Sequence, residues 1–249
     1  MIITKTPQQI ELMAKAGKIL TACHRELRKI IQPGITTMQI DHFADDFIQS
    51  HGAKAEQKGY HGYPFATCAS VNDEICHGFP NRTPLREGDI VTIDMVVNLN
   101  GWLADSAWSY PVDQISEQAK KLLKVTKECL YIGIDKAVIG NRLGDISHAI
   151  QIHAESHMFS VVREFTGHGI GHNMHEYPQV LHYGHPNKGL RLCEGMVFTI
   201  EPMINLGSYN LKIDQNGWTA RTADGSLSAQ YEHTLAITKN GPLVLTEQD

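Results

Sequence analysis

The chain repeats itself. Leu85-Arg86-Glu87-Gly88-Asp89-Ile90-Val91-Thr92-Ile93-Asp94 recurs 107 residues later as Leu192-Cys193-Glu194-Gly195-Met196-Val197-Phe198-Thr199-Ile200-Glu201, with five identical positions and with Asp94 falling on Glu201. An offset of 106 likewise pairs Gly34 with Gly140, Ile40 with Ile146, His42 with His148, and Ser50-His51 with Ser156-His157. Two offsets that agree to within one residue point to two halves built on one plan, each a helix pair followed by a β-hairpin. If such halves pack about a pseudo-twofold axis, their equivalent acids meet at the centre, where a shared site would form.

Local signals fill in the plan. Thr6-Pro7-Gln8-Gln9 reads as a helix start, with Thr6 as cap, Pro7 in the first turn and Gln9 completing a capping box. The stripe Ile10, Met13, Ala14, Gly17, Leu20, His24, Leu27 and Ile31 carries that helix to Pro33-Gly34. A second helix is predicted from about Thr37 to Gly52, and another pair from Ser116 to about Val138 and from Leu143 to about His157. Ile90 to Val97, Trp102 to Tyr110, Val197 to Ile204 and Ser228 to Thr238 are β-branched or aromatic and bounded by Gly, Asn or Pro, and read as strands. No low-complexity linker divides the chain, so residues 1–249 are expected to form a single α/β domain.

Composition narrows the function classes. A net charge of −5 argues against a general nucleic-acid or acidic-membrane binder. Cys23, Cys68, Cys76, Cys129 and Cys193 are odd in number and form no C-x-x-C, so reduced, mostly buried thiols are expected rather than a disulfide framework or zinc ribbon. No signal-like N-terminus and no 18-residue apolar run is present, which makes the cytoplasm the expected location.

The chemistry begins at Asp94 and Asp105. Asn100-Gly101 is a two-residue hairpin signal that would set Asp94 opposite Ala107, with Asp105 its diagonal neighbour; a four-residue loop would set the two acids face to face. Both registers put the carboxylates on one side of the hairpin. Ionised carboxylates crowded beside an apolar strand need a shared proton or a cation, unless one is solvated and the other salt-bridged. Glu201, after Phe198-Thr199-Ile200, and Glu232, after Ala229-Gln230-Tyr231, sit in similar strand contexts, with few Lys or Arg nearby to neutralise them. Six of the fourteen histidines fall between His157 and His185. One of them, His168 in Gly167-His168-Gly169, would complete a dinuclear site for Mn, Co, Fe or Zn, its flanking glycines allowing close approach.

These five residues, in the order Asp, Asp, His, Glu, Glu, resemble the ligand set of methionine aminopeptidases. The likeness covers essentially the whole chain. It includes Gly59-Tyr60-His61-Gly62-Tyr63-Pro64, Ser70-Val71-Asn72-Asp73-Glu74, His77-Gly78, Gly167-His168-Gly169-Ile170-Gly171, Thr199-Ile200-Glu201-Pro202-Met203 and Ala229-Gln230-Tyr231-Glu232-His233-Thr234. The chain is similar to the short, type I, bacterial form: it has no room for a zinc-binding extension, and only 33 positions separate His168 from Glu201.

The resemblance implies a pita-bread fold, a curved antiparallel sheet with outer helices and two pseudo-twofold-related halves. It implies two divalent cations, with Asp94 on one, Asp105 and Glu232 bridging, and His168 and Glu201 on the other. It makes Glu201 the proton shuttle and places His77 and His175 on the scissile amide. It puts Tyr60, His61, Tyr63, Cys68, Met174 and Trp218 around the methionine side chain; Met174 stands where many relatives have an aromatic. The implied activity is removal of the initiator methionine from nascent polypeptides and peptides with a small second residue. The expected enzyme is a monomer with at most transient ribosome contact and no nucleic-acid or membrane partner. The rivals are a proline-specific aminopeptidase P or prolidase, which share the fold and ligands but normally carry an N-terminal domain, and a non-catalytic binding protein on the same scaffold.

Overall fold

The computed structural model describes residues 3–248. Helix α1 (Pro7–Ile30) starts as its sequence dictates. Gln9 N donates to Thr6 Oγ1 at 3.3 Å and Thr6 N donates back to Gln9 Oε1 at 2.8 Å. Helix α2 (Thr37–Ser50) is capped in the same way by Thr36 and Gln39. The first-half strands are β1 (Lys54–Ala55), β2 (Cys68–Val71), β3 (Glu74–Cys76), β4 (Ile90–Leu99) and β5 (Trp102–Pro111). The second half opens with α3 (Glu117–Lys136) and α4 (Leu143–Ser156). Its strands are β6 (Ser160–Val161), β7 (Gly167–Gly169), β8 (Glu176–Val180), β9 (Val197–Ile200), β10 (Met203–Asn205), β11 (Leu211–Ile213), β12 (Ala220–Thr222), β13 (Ser228–Gln230), β14 (His233–Thr238) and β15 (Gly241–Val244).

The repeat extends to individual bonds. Leu85 N donates to Ile35 O at 2.7 Å, and Leu192 N donates to Asn141 O at 2.8 Å. Thr36 bridges Pro84 and Arg142 bridges Arg191. Gly34 and Gly140 both take a positive φ, +96° and +100°, which favours glycine. At the ends of α2 and α4, Ser50 and Ser156 each donate to the carbonyl three residues back at 2.7 Å. His51 and His157 place Nδ1 2.8 Å and 3.0 Å from the same carbonyls.

The β4–β5 hairpin turns on Asn100-Gly101, both at positive φ, so Asp94 faces Ala107 and Val96 faces Asp105, the register of the two-residue loop. Opposite β5, β4 pairs with β1 and β2. Among the described residues the strands form four antiparallel sheets. The second-half strands are shorter than the sequence predicts. Val197 to Ile204 is interrupted between β9 and β10 at Glu201-Pro202, and Ser228 to Thr238 is interrupted between β13 and β14 at Tyr231-Glu232. Pro202 has no N–H for a ladder. Glu232 spends its N–H on Ala107 O of β5, at 2.8 Å.

That bond belongs to a seam joining the halves. Asp105 N donates to Thr234 Oγ1 at 2.9 Å, Thr234 Oγ1 donates back to Asp105 O at 2.8 Å, and Ser106 Oγ donates to Glu232 O at 3.0 Å. Helix α1 lies across β4 and β5, and α3 across β9, β10 and β13, leaving the seam between two helix-backed layers. Each layer buries one face of its sheet, with Leu20, Leu27, Ile93, Met95, Leu122, Phe198 and Ile200 fully buried. No helix among the described residues is long and apolar enough to cross a membrane.

Candidate active site

Five predicted side chains arrive at the seam by five routes. Asp94 lies mid-strand on β4 and Asp105 on β5, on one face of the hairpin. His168 is the centre of β7. Glu201 sits just beyond β9 and Glu232 just before β14, in the two interruptions. All five line one cavity of about 480 Å³.

Their spacing is tight, and no lysine or arginine among the described residues offsets their charges. His168 Nε2 lies 3.5 Å from Asp105 Oδ2 and 3.6 Å from Glu201 Oε1. Donor atoms of Asp105, His168 and Glu232 all lie within 4.8 Å of one another. The lysine and arginine ion pairs in the structure engage other acids, which removes the alternative of an ordinary salt bridge. Asp105 Oδ1 and Glu232 Oε1 are buried without a hydrogen-bond partner. A buried, unpartnered carboxylate oxygen is costly, and a hard or borderline cation is the partner that satisfies several at once.

The electrostatics say the same. Burial first, then the neighbouring carboxylates Asp105 and Glu201, push Asp94 well above the usual carboxylate range. Glu232 is pushed the same way by burial and by Asp105, Glu201 and Asp94. Burial also raises Glu201 to about 7 against the opposing pull of His168. The His168 imidazole goes up despite burial, because Asp105 and Glu201 favour its charged form. Such an array holds protons when no cation is bound and exchanges them for one when it is.

Supporting groups fix these side chains. His168 Nδ1 is 3.0 Å from Gly169 O and donates to it, which leaves Nε2 as the nitrogen that faces the carboxylates and is free to exchange its proton for a cation. Thr199 Oγ1 donates to Glu201 Oε1 at 2.8 Å and accepts from His168 N at 3.0 Å, linking two of the five. Gln230 Nε2 reaches Glu201 Oε2 at 3.4 Å, and Gln57 Nε2 reaches Asp94 Oδ1 at 3.4 Å. The glycines flanking His168 serve backbone approach: a Cβ on Gly167 would stand 2.4 Å from Thr199 O, and one on Gly169 2.5 Å from Tyr177 O.

The other predicted residues surround this floor, with one exception. His77, at φ +55°, packs edge-on to Phe165 with centroids 5.2 Å apart. Burial holds its imidazole below the usual value. His175 Nδ1 lies 2.7 Å from Tyr60 Oη, and its ring is 4.3 Å from that of His168. Burial and His168 lower it to about 4. Tyr63, Cys68, Met174 and Trp218 line the cavity, with Tyr63 and Trp218 edge-to-face at 5.0 Å. His61 does not line it; the ring is exposed and rests edge-on against Tyr60 at 4.4 Å. The structure adds Val96, Phe165 and Met203 to the apolar wall and Gln57, Cys76, Gln179 and Gln230 to the polar one. Of the supporting groups, Thr199 had a sequence signal: in the strand the sequence predicts from Val197 to Ile204 it lies two positions before Glu201 and so on the same face.

Residues 11–239 match metallopeptidase family M24. Methionine aminopeptidase 1 of Bacillus subtilis is 51% identical over 246 residues, covering 99% of each chain. The Escherichia coli methionine aminopeptidase is 41% identical over 248 residues, covering 98% of this chain and 94% of its own. The crystal structure of methionine aminopeptidase from Rickettsia prowazekii superposes with a TM-score of 0.98 at 42% identity, covering 99% of this chain and all of that one. Prolidase from Pyrococcus furiosus, at 21% identity and a TM-score of 0.81 over 66% of its length, shares the fold. The fold is therefore the pita-bread type, and the chain belongs to metallopeptidase family M24, among the methionine aminopeptidases of the short, bacterial type I form.

Proposed function

We propose that this chain, acting as one metallo-aminopeptidase domain over residues 1–249 in the cytoplasm, removes the N-terminal methionine from nascent proteins and peptides whose second residue is small. The observation that carries the reading is the convergence of Asp94, Asp105, His168, Glu201 and Glu232 on one buried cavity floor with no lysine or arginine among the described residues to neutralise them. These five would hold two divalent cations of the Co, Mn, Fe or Zn class. When bound, the pair lowers the pKa of water and stabilises both the attacking oxygen and the developing oxyanion.

The chain's own groups do the rest. Glu201 takes the proton of the attacking water and delivers it to the leaving amine, its carboxylate kept in place by Thr199 and Gln230. His77 and His175 are held neutral by burial and face the cavity, where they hydrogen-bond to the scissile amide and its tetrahedral successor. Tyr60 orients His175. Tyr63, Cys68, Phe165, Met174 and Trp218 offer an apolar, polarisable slot suited to an unbranched thioether. A free substrate amine beside the acidic floor restricts the reaction to chain ends.

Competition between Met-Ala-Ser and X-Pro peptides tests the substrate. The proposal expects release of methionine from Met-Ala-Ser with X-Pro peptides left intact. Preferential cleavage before proline would overturn it.

A further inference from the structure

On the helices α3 and α4 of the second half, among residues that do not line the cavity, one nitrogen each of His153 and His157 and one carboxylate oxygen of Glu128 lie within 4.8 Å of one another. The histidines are one helical turn apart, His153 in the last turn of α4 and His157 at its C-terminal cap, and Glu128 reaches across from α3. All three are half-buried. We infer that this trio is a second, separate metal site for an imidazole-preferring divalent transition metal, with Zn2+ the first choice, which ties α3 to α4.

The atoms are arranged for it. His157 Nδ1 lies 3.0 Å from His153 O, so its proton is committed to that carbonyl and Nε2 retains its lone pair. His153 Nε2 is 2.9 Å from Glu128 Oε2. Two ligands of a tetrahedral zinc ion stand about 3.3 Å apart, given metal–ligand distances of about 2.0–2.1 Å, so a cation can replace the proton of that hydrogen bond after a small opening. The rings of His153 and His157 are 4.7 Å apart and tilted by 57°, side by side rather than stacked face to face. Lys124 sits 3.8 Å from the other oxygen, Glu128 Oε1, and is largely exposed, so solvent screens its charge. Two imidazoles and one carboxylate leave a position for water, the pattern of an open zinc site.

The other half of the molecule supplies a control. At an offset of 106, Glu128 corresponds to Ala22, His153 to Phe47 and His157 to His51. His51 is held by the Phe47 carbonyl as His157 is by the His153 carbonyl, and Phe47 stacks on His51 at 4.3 Å. The helix end that orients His157 is thus common to both halves, and the two further ligands occur in the second half alone.

The double variant Glu128→Ala/His153→Phe restores the first half's own residues at these positions and is expected to fold. His157→Ala provides an independent removal. Apo wild type and both variants are titrated with Zn2+ against a chromophoric chelator, with activity on Met-Ala-Ser followed in parallel. Wild type should take up one equivalent more than either variant, with activity unchanged within twofold. Equal uptake by all three would overturn the inference, and so would lost uptake accompanied by lost activity, since the missing ion would then belong to the cavity floor.

Discussion

Asp94 and Glu201 hold the same place in two copies of one plan, yet Asp94 lies within an unbroken strand while Glu201 stands just past the end of one. Asp94 has the ladder on both sides and a long contact from Gln57 at 3.4 Å. Glu201 has lost the ladder at Pro202, carries one more methylene, and is steadied by Thr199 and Gln230 on its two oxygens. The repeated backbone supplies a matched pair of acids, and the local break lets their roles diverge. In the proposed mechanism Asp94 is the rigid anchor, and Glu201 is the group that accepts and passes the proton.

The largest test of that division is Glu201→Ala. Turnover should fall by about 10²–10⁴, the usual worth of a positioned general base, and excess metal should not restore it, because the proton acceptor is gone. Recovery at high metal would make Glu201 only a second anchor and erase the contrast with Asp94.

The repeat-equivalent threonines give the next effect. Thr199 bonds Glu201 and His168, whereas Thr92 bonds Ser109 Oγ at 2.6 Å. Thr199→Val should lower activity or metal affinity by about 10–100-fold, as loss of a ligand-orienting group does. Thr92→Val should cost about 1 kcal/mol of stability and leave kcat/KM within about twofold. Equal kinetic losses would contradict the asymmetry.

Proton linkage comes third. Asp94 and Glu232 are raised by burial, and Glu201 is raised from 4.5 to about 7. For a carboxyl raised in the fold, the stabilisation is full below its unfolded value and is lost as pH rises through the folded one, here between 4.5 and about 7 for Glu201. A divalent cation binds the deprotonated forms. The gain in Tm from saturating Mn2+ should therefore widen as pH rises across that window, measured by scanning calorimetry with and without metal. The neutral buried His24, His182 and His233 are lowered in both forms and cancel in the difference. A gain that is flat or shrinks with pH would count against a carboxylate metal floor.

The smallest test concerns the shared scaffold. Gly34→Ala and Gly140→Ala should each destabilise by about 1 kcal/mol, since both positions have positive φ and open space around them. Unequal costs would mean that the two loops are less alike than their bonds suggest.

What the sequence made legible was what short-range rules decide. The capping box of α1 is written in four residues, and Asn100-Gly101 carries the two-residue register in which Asp94 and Asp105 share one face. The four acids stood out because acids in apolar strands need a reason. The breaks at Glu201-Pro202 and Tyr231-Glu232 were not, although Pro202 was a hint, because the competing partner for Glu232 N is Ala107 O, more than a hundred residues away. Gln57 and Gln230 carried no signal, since a glutamine in a sequence does not reveal which carboxylate it will meet. The exposure of His61 escaped for a different reason: it takes φ +47° in a short turn, and its ring rests against Tyr60, which lines the cavity in its place.

The dinuclear claim is tested most directly by anomalous diffraction from crystals soaked in Mn2+, with activity titrated on the same preparation. Two peaks about 3.5–4 Å apart among Asp94, Asp105, His168, Glu201 and Glu232 are predicted, with activity following their occupancy. Metal-dependent activity with no density among those five side chains would contradict it.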